Sequence, residues 1–476
     1  MKTMCPLQQS HTGRCLWLMV LVWFSASPWA GAQQVGVNFN GQFDQVNFND
    51  LARTHTTWVR GFIDFFEFYN NPSKLDNDNR INSYLQLKDN GYKTILNIKF
   101  DFKGKDFPAV NSTEMNNQKD FLAQLYDKVW DKTDIMVVGN EPFIESDGNE
   151  QGANGPLVKY YRQMCIKTHN YRENRSKKNP IYVGSFDNMY LNSKRKQSVL
   201  DLLAFAKNHD YMAGIDLHIH HSDINQVNSV FDWVSPKIRS DQKILVTEYS
   251  LMKHWRNQMS KTINAAFASK YNRNSAWKNY QYIDYALKNP VQRAEWVDYF
   301  KMHAWYNNRA GYIKNSYDRF KSYRKFHIAT YATRQSYPFN RDFTANTDPW
   351  VLNPLYVNRT VVKNASGQFQ FNYAFIDDFR AIQNGTINSA RAQALQPSAA
   401  PVQANGPGEI HIFPNPAADI ITILNRPSGA QVYLTDVTGS EIGIYSTERI
   451  NISHLKPGLY FLAIPEADQV YKFMRE

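Results

Sequence analysis

The chain has 476 residues and a formal net charge of +11, with 43% hydrophobic and 20% charged residues. A single small domain and a wholly disordered chain are both excluded, because this length and this near-average composition are typical of two or three folded units with buried cores. Two values need an explanation, the positive charge and the 14% content of aromatic residues.

The first 32 residues have the pattern of a secretory signal peptide. Lys2 and Arg14 precede an apolar run at 16–24, and a triplet of small residues follows at 30–32. We expect cleavage before Gln33. A membrane anchor is the alternative, but the apolar run is shorter than the roughly 20 residues that a bilayer span needs.

Two of the three cysteines, Cys5 and Cys15, lie in the signal peptide, so the mature chain keeps only Cys165. An intrachain disulfide is therefore impossible. Cys165 lies in a helix-like segment, and we expect a packed thiol there rather than a nucleophile, which would need an electropositive setting.

Between residues 33 and 385, apolar strand-like runs alternate with segments of helical length. This alternation is typical of βα units, and eight such units close into a (β/α)8 barrel, the TIM barrel. A doubly wound open sheet is the alternative, but no Gly-rich phosphate turn follows the first run. The runs lie at 35–38, 57–61, 94–98, 135–139, 181–185, 215–220, 244–247 and 326–331.

The fourth and the seventh run each end in a glutamate. The fourth continues into Gly139-Asn140-Glu141, and the seventh ends in Thr247-Glu248. A barrel carries its chemistry at the C-terminal ends of its strands. Two carboxylates there suit glycoside hydrolysis, in which one acid protonates the leaving oxygen while the other attacks the anomeric carbon or activates water. A structural salt bridge is the alternative for either glutamate alone.

This motif order resembles the large clan of retaining (β/α)8 glycoside hydrolases, in which Asn-Glu ends strand four and a second Glu ends strand seven. The resemblance covers about residues 33 to 360. It implies that Glu141 is the general acid/base, kept protonated by its surroundings, and that Glu248 is the nucleophile. It also implies that Asn140 bonds the sugar 2-hydroxyl and that Arg60, at the end of strand two, holds Glu248 ionised. No metal or organic cofactor is expected.

The sixth run places Asp216, His218 and His220 on one face of its strand and apolar residues on the other. We expect the polar face to point into the barrel, with His218 or His220 beside Glu248, where the clan commonly has a His or Tyr. A metal site formed by Asp216 and the two histidines is a weaker alternative, because the strand spreads these side chains along the barrel.

Tryptophans are frequent after the seventh run, at residues 255, 277, 296 and 305. Flat aromatic faces can pack against sugar rings as they do against other apolar surfaces. We expect Trp255 and Trp305 to line a sugar cleft, because both lie in segments that mix polar and aromatic residues. Packing in the core is the alternative.

The net charge of +11 belongs to residues 33–385, because the charges of the flanking segments cancel. A positive cleft would favour an anionic polysaccharide, sulfated or uronate-bearing. A generally basic surface is the alternative, and nucleic acid is not expected because no nucleic-acid-binding motif accompanies the charge. The strand-end and loop candidates for such a cleft are Arg60, Lys99, Lys253, Arg256 and Arg309.

Residues 386–408 are rich in Ala, Pro, Gln and Ser, with Arg391 the only charged residue, and predict a flexible linker. From residue 409 to residue 476, short alternating runs separated by turn signals predict a small β-sandwich.

Four motifs mark the C-terminal segment, at 413–417, 437–439, 452–462 and 471–473. Together they resemble the C-terminal sorting domain of the bacterial type IX secretion system. The resemblance implies export through the periplasm and the outer membrane, the secretion machinery as a partner, and removal of the module. A carbohydrate-binding sandwich is the alternative, disfavoured by the absence of tryptophan from this segment.

The sequence thus predicts a secreted or cell-surface monomer that hydrolyses a polysaccharide or oligosaccharide with retention. A glycan-binding barrel without turnover and a transglycosylase that uses the same two glutamates are the alternatives.

Overall fold

The computed structural model describes residues 34–335, 342–394 and 410–475, with short gaps in the last range at 414–416, 418, 425, 427–428, 437–439 and 465–468. The predicted signal peptide and the motif at 437–439 lie outside the described residues. The chain divides into two compact units, residues 1–395 and residues 396–476.

The first unit is a closed barrel of eight parallel strands that pair in sequence order, with the last strand paired to the first. This confirms the predicted TIM barrel and its eight strand-like runs. The strands are β1 (Gln34–Asn38), β2 (Trp58–Asp64), β3 (Lys93–Lys99), β4 (Ile135–Val138), β5 (Ile181–Asp187), β6 (Met212–His220), β7 (Lys243–Ser250) and β8 (Phe326–Ala332).

Helices join these strands and cover the outside of the barrel with their apolar faces. They are α1 (Phe48–Thr54), α2 (Phe65–Tyr69), α3 (Lys74–Asn77), α4 (Asn79–Asp89), α5 (Thr113–Val129), α6 (Pro156–Asn174), α7 (Gln197–Asn208), α8 (Asn225–Val234), α9 (Met252–Arg256), α10 (Ala265–Lys270), α11 (Asn279–Lys288), α12 (Arg293–Lys301), α13 (Ala304–Asn307), α14 (Tyr312–Lys321) and α15 (Ile376–Ala394). Cys165 is fully buried in α6, which confirms the packed thiol, and burial raises its pKa.

The side chains inside the barrel form two layers. Because side chains alternate along a strand, a residue two positions further on points to the same side one layer higher. Thus Ile95 is followed by Asn97, and Leu245 by Thr247. The lower layer, near the N-terminal ends of the strands, is apolar and consists of Trp58, Ile95, Ile135, Tyr182, Leu245 and Ile328, with Val137 packed against it from one step higher on β4. The upper layer is polar yet buried and consists of Asn38, Arg60, Asn97, Ser185, Asp216 and Thr247.

The predicted linker begins later than the composition indicated. Helix α15 continues to Ala394, so residues 386–394 are helical rather than flexible. The reason is that this stretch contains Ala, Arg and Gln, which favour helix as readily as they favour a linker. Residues 395–408 lie outside the described part of the chain.

The second unit contains two antiparallel sheets with strand orders β13-β10-β9 and β12-β11-β14-β15. Its core is apolar and includes Ile421, Val432, Leu434, Ile450 and Leu462, all at most 1% exposed. The two sheets confirm the predicted β-sandwich. The strands are β9 (His411–Phe413), β10 (Ile420–Leu424), β11 (Val432–Thr435), β12 (Glu441–Tyr445), β13 (Arg449–Asn451), β14 (Gly458–Ile464) and β15 (Gln469–Arg475).

Within the described residues, no helix combines the length and the apolar character needed to span a membrane.

Candidate active site

Glu141 is held by a strained turn directly after β4. The backbone at Gly139 has φ +116°, and a side chain there would collide with the carbonyl of Gly184, so glycine is required. Glu141 itself has φ +48°, in the left-handed region that a non-glycine residue rarely adopts. This turn aims the Glu141 side chain at the centre of the barrel mouth, where 18% of it is exposed.

Glu248 projects from β7 into the same mouth. It lies opposite His218 of β6 in the strand register, and 17% of its side chain is exposed. Arg60 donates a hydrogen bond from Nη1 to Glu248 Oε1 at 2.6 Å. The two glutamates therefore reach solvent at the floor of the mouth, above the buried upper layer.

Arg60 joins Glu248 and Asn140 to the upper layer. Its guanidinium is fully buried, and Nη2 donates to Asn140 Oδ1 at 2.5 Å. It also donates to Asn97 at 2.9 Å and to Asn38 at 3.1 Å. A buried guanidinium is stable only where its donors find acceptors. The sequence expectation that Arg60 faces Glu248 matches this geometry.

His218 lies between the two glutamates. Its Nδ1 donates to Glu141 Oε1 at 3.0 Å, and its Nε2 lies 3.6 Å from Glu248 Oε1. His220 is further from Glu248, with 3.8 Å between Nε2 and Oε2, and its Nδ1 bonds the Ser250 hydroxyl at 2.9 Å. Both histidines thus lie near Glu248, as the sequence predicts, and His218 in addition makes a hydrogen bond to Glu141.

The charges of this cluster differ from the expectation of a protonated Glu141. Burial acts to raise the pKa of Glu141, but the hydrogen bond from His218 and the surrounding positive charges outweigh burial and lower the pKa from 4.5 to about 2. Burial acts to lower the pKa of His218, but the charge of Glu248 and the bond to Glu141 raise it above 6.5. Both shifts favour a protonated His218 beside an ionised Glu141.

Asp216 does not join the histidines. Its carboxylate accepts hydrogen bonds from the Thr247 hydroxyl at 2.6 Å, from the Thr247 amide at 3.1 Å, from Asn97 at 3.1 Å and from the Ser185 hydroxyl. It is fully buried. The metal alternative based on Asp216 is wrong, because these bonds use the carboxylate within the upper layer.

Three other side chains do have ligand atoms close enough to share a cation. Atoms of Glu141, His218 and His220 all lie within 4.8 Å of one another. However, a guanidinium nitrogen of Arg60 lies 3.4 Å from His218 Nε2 and would repel a metal ion. The expectation that no metal takes part stays a prediction.

Of the two tryptophans predicted to line a cleft, Trp255 is buried, whereas the role of Trp305 stays a prediction. Trp255 has no exposed surface and packs against Tyr306 and Phe375, so its predicted role as a cleft wall is wrong. Trp305 is half-buried, and its ring contacts are Phe300, His303 and Tyr306. Both side chains belong to the aromatic packing of the long insertion between β7 and β8.

Trp350 is the aromatic residue at the site that sequence reasoning missed. It lies after β8, half-buried, with its ring centroid 4.9 Å from that of His220 in an edge-on contact. Residues beyond the last strand were not considered as cleft walls. The position of Trp350 after β8 could have indicated this role, because the loop after each barrel strand lies at the same face as the catalytic groups.

Comparisons with solved structures give matches of low identity. A glucosidase from Croceicoccus marinus is 9% identical with a TM-score of 0.44, covering 88% of this chain and 92% of that chain. A family 39 glycoside hydrolase from Bacteroides cellulosilyticus WH2 is 10% identical with a TM-score of 0.38, covering 91% and 81%. Xylanase B from Clostridium stercorarium F9 is 13% identical with a TM-score of 0.40, covering 74% and 96%.

A search of curated proteins found no match. Identities and TM-scores as low as those of the solved structures leave the reaction to be inferred from the geometry of the site.

The C-terminal unit has a family match. Residues 411–474 match the family described as the secretion system C-terminal sorting domain. This agrees with the module predicted at 409–476 and with its two-sheet fold. Residues 411–474 are therefore a type IX secretion sorting domain, and the chain is exported to the cell surface or the extracellular space.

Proposed function

We propose that the barrel is a retaining glycoside hydrolase that acts on a polysaccharide or oligosaccharide outside the cell. The observation that carries the proposal is the pair of partly exposed glutamates that share one histidine at the mouth of the barrel. Export supports the proposal, because it would bring the enzyme to polysaccharides outside the cell. The retaining mechanism is proposed from the motif order, with Asn140-Glu141 after β4 and Glu248 on β7.

Glu248 acts as the nucleophile. The hydrogen bond from Arg60 fixes one of its oxygens, which leaves the other to attack the anomeric carbon. The product of this step is a covalent glycosyl-enzyme, and water then hydrolyses it with net retention.

Glu141 acts as the general acid and then as the general base. In the free protein its proton is held by His218 across the 3.0 Å hydrogen bond. Substrate that covers the mouth excludes water and disfavours the ionised form of Glu141, so the proton moves from His218 Nδ1 to Glu141 Oε1 and on to the leaving oxygen. His218 is thus a positioning residue that stores the proton rather than a group that touches the sugar.

Asn140 and Trp350 position the sugar. Asn140 is oriented by its hydrogen bond to Arg60, and its remaining amide donors suit the sugar 2-hydroxyl. Trp350, beside His220, offers a flat apolar face to the sugar ring. His220 is a candidate hydroxyl ligand, because burial lowers its pKa and keeps the ring neutral.

Azide rescue tests the two glutamate roles separately. With a panel of 2,4-dinitrophenyl glycosides, Glu248→Ala plus azide should give a glycosyl azide of inverted configuration, and Glu141→Ala plus azide one of retained configuration. Glu173→Gln is the matched control, since Glu173 is an exposed glutamate of α6 and should behave as wild type. Full activity in Glu248→Ala, or the opposite product configurations, would overturn the assignment.

A glycan-binding barrel without turnover and a transglycosylase remain the competing proposals. Binding without release of reducing ends would identify the first. Transfer products at high acceptor concentration would identify the second.

A further inference from the structure

A cavity of about 400 Å³ lies between α14 and the residues that follow β6 and β7. One wall is formed by residues that follow β6 and β7, among them His221 and Leu251, and the other by α14 and the turn before it. Polar groups of the second wall include the amides of Asn308 and Asn315. The cavity therefore begins past the C-terminal ends of β6 and β7 and continues along α14 to Ser322.

The ends of two strands link this cavity to the catalytic cluster. His221 directly follows His220, and its amide donates to the carbonyl of Ser250 at 2.9 Å. The Ser250 hydroxyl in turn bonds the ring of His220. The ring of His221 is fully buried and lies 3.1 Å from the hydroxyl of Tyr312. Hydrogen bonds thus connect this wall to His220 of the catalytic cluster.

Ion pairs neutralise most of the cations that the sequence proposed for an anionic substrate. Arg60 bonds Glu248, and Arg256 bonds Asp348 at 2.6 Å. Lys99 lies within 3.9 Å of three carboxylates, those of Asp64, Asp101 and Glu145. These side chains offer little free charge to a ligand.

Unlike these paired cations, two arginines of the cavity have no partner among the described residues. Within the described part of the chain, the guanidinium groups of Arg309 and Arg319 have neither an ion pair nor a hydrogen bond, and both line the cavity. The one carboxylate in the lining, Asp318, is bound by Lys314 at 2.6 Å and by Lys321 at 3.1 Å. The cavity is therefore positively charged.

We propose that this cavity binds an acidic group of a glycan, a carboxylate or a sulfate ester, through Arg309 and Arg319. A guanidinium presents a planar set of donors that matches either oxyanion. Asn308 and Asn315 supply further groups for sugar hydroxyls. The inference rests on the proposed function, because it assigns an acidic glycan as the substrate class of the two glutamates.

Binding by the full exported chain tests this proposal, with polygalacturonate as the carboxylate probe, carrageenan as the sulfate probe and unsubstituted xylan as the neutral probe. The double variant Arg309→Gln/Arg319→Gln is compared with Arg293→Gln/Arg324→Gln, which removes the same charge from two exposed arginines outside the cavity lining. Affinity electrophoresis or calorimetry gives the dissociation constants.

We expect the cavity variant to bind one or both acidic probes about tenfold more weakly than the charge-matched control, as for loss of charge-assisted hydrogen bonds. The probe affected identifies carboxylate or sulfate as the recognised group. Equal weakening in both double variants would show that only the general surface charge matters, and failure of the wild type to bind either acidic probe would also overturn the proposal.

The reaction is tested apart from this binding. If hydrolysis of aryl glycosides by the wild type requires Glu248 but acidic probes bind independently of Arg309 and Arg319, the cavity proposal fails and the hydrolase proposal stands. If acidic probes bind through Arg309 and Arg319 but no glycoside is hydrolysed, the hydrolase proposal fails and the cavity remains a glycan-binding site.

Discussion

The lower and upper layers of the barrel interior are built by the same strands but have opposite chemistry. The lower layer is apolar, and its side chains contact one another without hydrogen-bonding partners among the catalytic candidates. The upper layer is a hydrogen-bonded network in which Arg60 and Asn97 each hold several neighbours. This difference separates stability from chemistry along the barrel axis. Substitutions in the lower layer should therefore reduce stability, whereas substitutions at the catalytic groups above the upper layer should reduce activity.

The largest effect is expected above the upper layer. Glu248→Gln removes the nucleophile but keeps an oxygen that can accept the hydrogen bond of Arg60, so kcat should fall about 10⁴-fold or more while the protein stays folded. The measurement is steady-state hydrolysis of an aryl glycoside together with thermal unfolding. If Glu248→Gln also unfolded at a much lower temperature than the wild type, stability and catalysis would not be divided between the two layers.

The opposite outcome is expected in the lower layer. Leu245→Ala leaves a cavity where the side chain has no exposed surface, and the free energy of unfolding should fall by about 2–5 kcal/mol. Denaturant unfolding measures this loss. Below the unfolding transition, KM should stay near the wild-type value.

Leu191→Ala is the matched control for that measurement, because Leu191 is 39% exposed. Its effect should be within about 0.5 kcal/mol. A large rise in KM for Leu245→Ala at a temperature where the variant is folded would contradict the division of roles.

The proton held by His218 predicts an effect that depends on pH. Because the pKa of His218 is raised in the folded protein, its protonated form stabilises the fold fully below pH 6.5, and this contribution is lost as the pH rises through the folded pKa. Because the pKa of Glu141 is lowered, its carboxylate stabilises the fold fully above pH 4.5, and this contribution is lost as the pH falls toward about 2. Both contributions are complete only between pH 4.5 and pH 6.5. His218→Gln should therefore destabilise the protein most in this window, by about 1.5–3 kcal/mol.

Unfolding of wild type and His218→Gln across pH measures this difference. His55→Gln is the control, since His55 lies in a solvent-exposed setting outside the barrel interior. A difference that is the same at every pH would mean that His218 contributes packing alone.

The smallest effect is expected at the sugar platform. Trp350→Ala should raise KM about tenfold, because an aromatic face contributes on the order of 1 kcal/mol to such a contact, with little change in the free energy of unfolding. Trp305→Ala is the comparison, because the ring contacts of Trp305 lie within the insertion. Equal KM values for wild type and Trp350→Ala would remove Trp350 from the site.

The sequence predicted the strands well because each buried strand is a short apolar run that ends in a polar residue at the mouth. Glu141, Glu248 and Arg60 could be placed for the same reason, since a strand end determines where a side chain points. A histidine beside Glu248 could be predicted as well, and both rings lie within 3.8 Å of that carboxylate. The hydrogen bond from His218 to Glu141 could not be predicted, because Glu141 comes from a distant part of the chain.

The errors lie where the outcome depends on contacts distant in sequence. Trp255 has polar neighbours along the chain but is buried by Tyr306 and Phe375, which come from other segments. Three of the five cations proposed for a positive cleft are neutralised in the same way, as Arg256 shows with its partner Asp348. Charge and aromatic composition indicate a preference, but only tertiary contacts decide which side chains remain free.

The central claim is that Glu248 forms a covalent bond to the sugar. Mass spectrometry after reaction with a panel of 2,4-dinitrophenyl 2-deoxy-2-fluoroglycosides tests it, because the fluorine slows hydrolysis of the glycosyl-enzyme. We expect one member of the panel to add a single glycosyl mass to the peptide that contains Glu248. A label on another residue, or hydrolysis of the corresponding glycoside with inverted configuration and no label, would contradict the account.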